Sequence, residues 1–212
     1  MATTYNNLYL DLRTELRRAG DEEATQSARE LVCAAAAKTR EELVRDGSLY
    51  ASPEVEKSAR ELVKRHLAGE PVAYLIGEWE FYGLPLDISP AVLIPRPDTE
   101  VLATKLIDAA RGAGACRILD LCAGSGAIGL SVKTLIPSAN VTLTDISRDA
   151  LDVARRNAHE LNAEVDIRHG DLFRAVGRDR FDLIASNPPY IPHGDLAGLQ
   201  REVRREPVLA LD

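Results

Sequence analysis

The chemistry-bearing residues of this 212-residue chain gather at four places, and the most specific is Asn187-Pro188-Pro189-Tyr190. It follows a short apolar run, Phe181-Asp182-Leu183-Ile184-Ala185-Ser186, that reads as a buried strand. Two consecutive prolines fix φ and remove two backbone donors. The result is a stiff, extended corner with free carbonyls. Such a corner can accept both hydrogens of an –NH₂ group, one at the Asn187 side-chain oxygen and one at the Pro188 carbonyl. The Tyr190 ring can pack on the flat face of an amide or a base. That geometry suits methylation of a planar nitrogen. It makes Asn187, Pro188 and Tyr190 candidate catalytic positions, and Asn187 to Tyr190 a candidate substrate-binding motif.

The other three places suit a nucleoside-bearing cofactor. Asp120-Leu121-Cys122-Ala123-Gly124-Ser125-Gly126-Ala127-Ile128-Gly129 joins a predicted strand to a helix. Glycines there let the backbone pass close to a ligand, and the helix start offers unpaired N–H groups. Asp145 ends the next strand, where a carboxylate can accept hydrogen bonds from a ribose diol. Asp171 follows a third strand and can accept from an adenine amino group, with Leu172 giving apolar contact. Gly124, Gly126 and Gly129 also spell a literal Gly-x-Gly-x-x-Gly, which with Asp145 fits a nicotinamide dinucleotide. Against that, Asp120 would repel a pyrophosphate but suits the cationic amino group of S-adenosyl-L-methionine. A dehydrogenase also has no use for Asn-Pro-Pro-Tyr after its fourth strand. S-adenosyl-L-methionine is therefore the cofactor expected.

Other residues read as structural. Cys122 is a small residue in a tight turn rather than a nucleophile, since no base neighbours it in sequence. Asp149 starts a helix, and Trp79 packs a hairpin. Arg96 either binds an anion or pairs with Asp98 or Glu100. The mixed run Gln200 to Glu206 reads as a solvated face. The four histidines are scattered, and no metal site is expected.

The elements that must position these residues change character along the chain. Leu8, Leu12 and Leu16 form a helical stripe. Asp21 opens a second helix through Leu31 and Val32, Thr39 to Arg45 is a third, and Ser52-Pro53 starts a fourth that ends near Gly69. From about residue 71 the pattern becomes two short strands around a turn, Gly77 to Gly83 and Leu84 to Ile88, then a proline-held stretch at Pro95-Arg96-Pro97. Asp98 or Thr99 then caps a helix. Strands at Arg117–Leu121, Val141–Thr144, Val165–Arg168 and Phe181–Ala185 alternate with helices, which predicts a parallel sheet covered on both faces.

Composition narrows the class further. With 45% hydrophobic and 28% charged residues, the chain reads as globular. No apolar run approaches the ~20 residues of a membrane span, and no secretory signal is evident. The net charge of −7 argues against direct nucleic-acid binding. Three cysteines without Cys-x-x-Cys spacing point to a reducing cytoplasm. The oligomeric state stays open.

Several stretches together resemble the release-factor glutamine N5-methyltransferases of the HemK type. They are Gly69-Glu70-Pro71, Gly77 with Glu80-Phe81, Ser89-Pro90, Leu93 to Glu100, the Asp120 to Gly126 loop, Asp145, Asp171 and Ser186 to Ile191. The resemblance implies a Rossmann-like α/β methyltransferase domain over 99–212. It implies a β-hairpin linker over 71–98 and a small helical bundle over 1–70 that docks a peptide chain release factor. The substrate implied is the glutamine of that factor's Gly-Gly-Gln loop. Cys122, Ala123, Gly124, Ser125 and Gly126 match the family's cofactor loop, with Asp145, Leu172 and Asn187 completing the contacts. Ribosomal-protein glutamine methylation, DNA adenine N6-methylation and an inactive cofactor-binding fragment are the alternatives. Family members carry three more strands, so the sheet is expected to be truncated after its fourth strand, leaving that strand an exposed edge.

Overall fold

The computed structural model describes residues 3–112 and 116–212. They fall into two compact units, Met1–Ile76 and Gly77–Asp212. In the first unit, α1 (Tyr5–Arg18) is capped by the Thr4 hydroxyl, which accepts the Asn7 N–H at 3.2 Å. Its four-residue spacing brings Leu8, Leu12 and Leu16 onto one buried face. That face meets Ala28, Leu31 and Val32 of α2 (Ala24–Ala36) and Val63 of α4 (Pro53–Leu67) in one apolar core. Between them, α3 (Arg40–Arg45) starts with a capping box of Thr39 and Glu42. Asp21 does not open α2. Its Oδ1 accepts the Glu23 N–H at 2.7 Å in a preceding turn, and the helix begins at Ala24. The chain does not pass directly from α4 to a hairpin, because Val72–Ile76 forms a further short helix, α5.

The second unit opens with an antiparallel hairpin, β1 (Glu78–Phe81) and β2 (Leu84–Asp87). Tyr82 and Gly83 turn between the strands with φ of 54° and 74°, the left-handed pair that a two-residue hairpin turn requires. The Tyr82 N–H donates to Glu100 Oε1 at 2.8 Å, tying the turn to α6 (Pro97–Arg111). Neither Asp98 nor Thr99 caps that helix. Arg96 occupies the cap position and Pro97 takes the first turn, where a missing N–H costs nothing.

Four parallel strands follow, β3 (Arg117–Leu121), β4 (Asn140–Asp145), β5 (Asp166–His169) and β6 (Leu183–Ser186), in the order β5-β4-β3-β6. The last strand lies at the sheet edge, as expected, with Ile184 half exposed. Helix α7 (Ala127–Leu135) links β3 to β4, and α8 (Arg148–Glu160) links β4 to β5. Helix α7 packs against α6 and α8. Among the described residues, the connection from β5 to β6 carries no α-helix, where alternating helices are expected. A 3-10 turn, Leu172–Ala175, replaces a helix between β5 and β6, and Leu119 and Leu121 pack on Val176 and Phe181 instead. That segment is short and interrupted by Gly177, which has φ of 59°. No helix among the described residues is long and apolar enough to cross a membrane.

Candidate functional site

The carboxyl ends of β3, β4, β5 and β6 open on one cavity of about 290 Å³, the position where open parallel sheets take ligands. Its floor is the turn after β3. Cys122, Gly124 and Gly126 have φ of 62°, 56° and 82°, three left-handed residues within five. This coils the backbone tightly enough that the Gly126 N–H donates to the Ala123 carbonyl at 2.8 Å. The glycines serve different ends. A methyl group at Gly124 would meet nothing within 4 Å, so bare backbone lines open space there. A Cβ at Gly129 would lie 2.2 Å from Leu143 Cδ2, so that glycine lets α7 approach the sheet. Leu172, across the cavity, also has a positive φ, of 47°. Non-glycine residues held in this region mark a locally strained, over-determined site.

Asp145 ties the turn to the next strand. Its Oδ2 accepts the Gly124 N–H and its Oδ1 the Ser147 N–H, both at 2.9 Å. Each carboxylate oxygen keeps further acceptor capacity, so the group can still meet a diol. The Ser125 carbonyl is held from behind by Asn157 Nδ2 of α8 at 2.9 Å. Burial, opposed in part by Ser186, pushes the Cys122 thiol up in pKa, away from the reactive thiolate form.

The structure brings together most of the residues singled out from sequence. Cys122, Ala123, Gly124 and Ser125 line the cavity from the turn, and Asp145 and Asp171 line it from the ends of β4 and β5. Leu172, Asn187 and Pro189 line it as well. Gly126 lies behind the turn, where a Cβ would collide with Leu130 and Leu143. Neither Pro188 nor Tyr190 is among the lining residues, and Tyr190 is 77% exposed.

Asp120 departs from its expected role. It does not line the cavity. It is fully buried between β3 and α7, with Oδ2 accepting the Gly129 N–H at 2.8 Å and Oδ1 left without a partner. Desolvation, opposed by that hydrogen bond and reinforced by nearby Asp145, pushes its pKa up to about 7.

Sequence reasoning missed two contributions. The stretch Leu93, Pro95 and Thr99 forms one wall of the cavity, and Pro207 and Leu209 form another. Glu206 joins these walls. It is 3% exposed, and its carboxylate accepts the Ile94 N–H at 3.0 Å and a bond from the Arg96 guanidinium. Arg96 therefore pairs with neither Asp98 nor Glu100, and the charged run ending at Glu206 is not wholly a solvated face. Only the alternation of charges around Glu206 was visible in sequence, and that pattern does not identify a buried member. Among the described residues, no cluster of His, Cys, Asp or Glu could hold a metal ion.

A parallel sheet with a glycine turn, acidic strand ends and a proline corner around one cavity defines a methyltransferase-type domain. In agreement, residues 96–201 match the family model "Methyltransferase small domain", and residues 8–77 match "PrmC N-terminal domain". A release factor glutamine methyltransferase of Bordetella pertussis is 49% identical over 75% of this chain and 59% of its own length. That of Geobacter sulfurreducens is 44% identical over 76% of this chain and 56% of its own. That of Caulobacter vibrioides is 38% identical over the whole of this chain and 74% of its own length. The chain belongs to the release factor glutamine methyltransferase family, and it spans just under three fifths of the first two relatives.

Proposed function

We propose that this chain binds S-adenosyl-L-methionine in the cavity and methylates the side-chain amide nitrogen of a glutamine in a peptide chain release factor. The observation that carries this reading is the meeting of the Asn187 corner and the glycine turn on one cavity. Bound there, the cofactor supplies an activated methyl group on a sulfonium. The residues present suit it: bare backbone at Gly124, an anchored carboxylate at Asp145 for a ribose, and Asp171 with Leu172 for an adenine.

The chain's own residues do the placement. An amide nitrogen is a poor nucleophile because its lone pair is delocalised, so orientation matters more than base strength. Asn187 Oδ1 and the Pro188 carbonyl accept the two amide hydrogens, and the Tyr190 ring covers the amide plane. Holding two reactants in line can supply ~7–11 kcal/mol in favourable cases. The Tyr190 ring, exposed as it stands, becomes covered when a protein substrate seats against it. The net charge of −7 favours a protein over a nucleic-acid substrate.

The test is methyl transfer from labelled cofactor to a purified release factor, with peptide mass mapping of the modified residue. Label is expected on a single glutamine. Asn187→Ala is expected to abolish transfer while cofactor affinity, read by calorimetry, stays within about threefold, a shift of under 1 kcal/mol. Label on DNA or on a ribosomal protein, or normal turnover by Asn187→Ala, would count against the reading.

A further inference from the structure

Among the described residues, the Asn187 side chain makes one hydrogen bond, to Thr99. Its Nδ2 donates to Thr99 Oγ1 at 3.4 Å, and among the described residues its Oδ1 takes no hydrogen bond. Both residues line the cavity. A carboxamide has a donor end and an acceptor end. A substrate amide presents two N–H donors, so a reversed Asn187 would set NH₂ against NH₂. The facing of this side chain therefore decides whether the corner attracts or repels the substrate.

Thr99 is itself held firmly. It is the third residue of α6, and its N–H donates to the Arg96 carbonyl at 2.9 Å. Pro95 and Pro97 fix φ on either side of Arg96. The Arg96 guanidinium and the Ile94 N–H both bond to Glu206, whose side chain is almost wholly buried. Thr99 is thus presented from a clamped strap rather than from a free helix end.

We propose that Thr99 is a positioning residue. In the facing this structure shows, its hydroxyl accepts from the Asn187 Nδ2 and Oδ1 is left open to accept from the substrate amide. The proposal deepens the amide-methylation reading and rests on it for its catalytic consequence, but its structural half can be tested separately.

The 212-residue protein, labelled with ¹⁵N-asparagine, gives a side-chain NH₂ pair for Asn187, assigned by its loss in Asn187→Ala. Thr99→Val keeps the side-chain shape and removes the hydroxyl. The Asn187 pair is expected to move upfield in that variant and to return in Thr99→Ser, with the other asparagine signals unmoved. In the methyl-transfer assay, Thr99→Val is expected to lower kcat about tenfold, the worth of one hydrogen bond. Cofactor affinity should be unchanged, and Thr99→Ser should restore turnover. A merely structural threonine would not give this split between kcat and cofactor affinity. An unmoved Asn187 pair in Thr99→Val, or wild-type turnover by it, overturns the proposal. If Thr99→Val fails to fold, Thr99→Ala is read in the same way. Absence of methyl transfer by the wild type would sink the amide-methylation reading while leaving the NMR result to decide the contact.

Discussion

Asp120→Asn isolates the cost of a buried charge. Asp120 is fully buried, one oxygen takes the Gly129 N–H and the other has no partner. Its folded pKa is about 7, against roughly 3.9 in an unfolded chain. Because the folded value is raised, the native state holds a proton that the unfolded state has lost between these two values. Stability therefore falls as pH rises through that window and levels off above the folded pKa. About three units at 1.36 kcal/mol each gives a loss of about 4 kcal/mol between pH 4 and pH 8. That is a large part of a typical domain stability of ~5–15 kcal/mol. Asparagine can still accept the Gly129 N–H but does not titrate. Urea unfolding followed by Trp79, the chain's one tryptophan and a residue of β1, reports on the second unit. The variant is expected to gain on the wild type steadily from pH 4.5 to 7.5, and other carboxylates cancel in the comparison. A wild-type-minus-variant difference that stays flat across that range would refute the reasoning.

Four further outcomes are expected. Gly129→Ala forces a methyl group against Leu143 Cδ2 at 2.2 Å and should cost about 3 kcal/mol by urea denaturation, the upper end of ordinary overpacking; Gly124→Ala, with open space around it, should cost about 1 kcal/mol for its left-handed backbone alone. Asp145→Ala strips the Gly124 and Ser147 N–H groups of their acceptor; calorimetry should show cofactor affinity at least about tenfold weaker, since a hydrogen bond to a charged group is worth ~1.5–3 kcal/mol. Glu206→Gln leaves the Arg96 guanidinium without its carboxylate and should destabilise the second unit by about 2 kcal/mol, measured as a lower urea midpoint.

The parts of the site visible in sequence were the local ones. A strand followed by Gly124-Ser125-Gly126 and a helix is written in consecutive residues, and Asp145 and Asp171 were found because each ends a strand of the same repeating unit. Asn187 was found because two prolines after an apolar run have few structural uses. What escaped depended on contacts distant in sequence. Glu206 lies more than a hundred residues from Ile94 and Arg96, and nothing near it distinguishes a buried glutamate from a solvated one. Asp120 was placed correctly at the end of β3 but given the wrong surroundings, because strand alternation does not say which face α7 will cover. The Thr99 hydroxyl looked like a cap because threonine before an apolar helix usually is one. Here Pro97 began the helix earlier and freed that hydroxyl for Asn187. Helix α5 was missed because five residues carry too little periodicity to register.

The Asn157 carboxamide grips both ends of a span no sequence pattern connects. Its Oδ1 accepts the Asp87 N–H at 2.6 Å and its Nδ2 donates to the Asp87 carbonyl at 3.1 Å and to the Ser125 carbonyl at 2.9 Å. The last residue of the hairpin and the glycine-rich turn thus share one side chain of α8, beside the hold of Asp145 on that turn. Tugging the ribbon at Asp87 therefore loads the turn that lines the cavity, and pressure on that turn loads the ribbon in return.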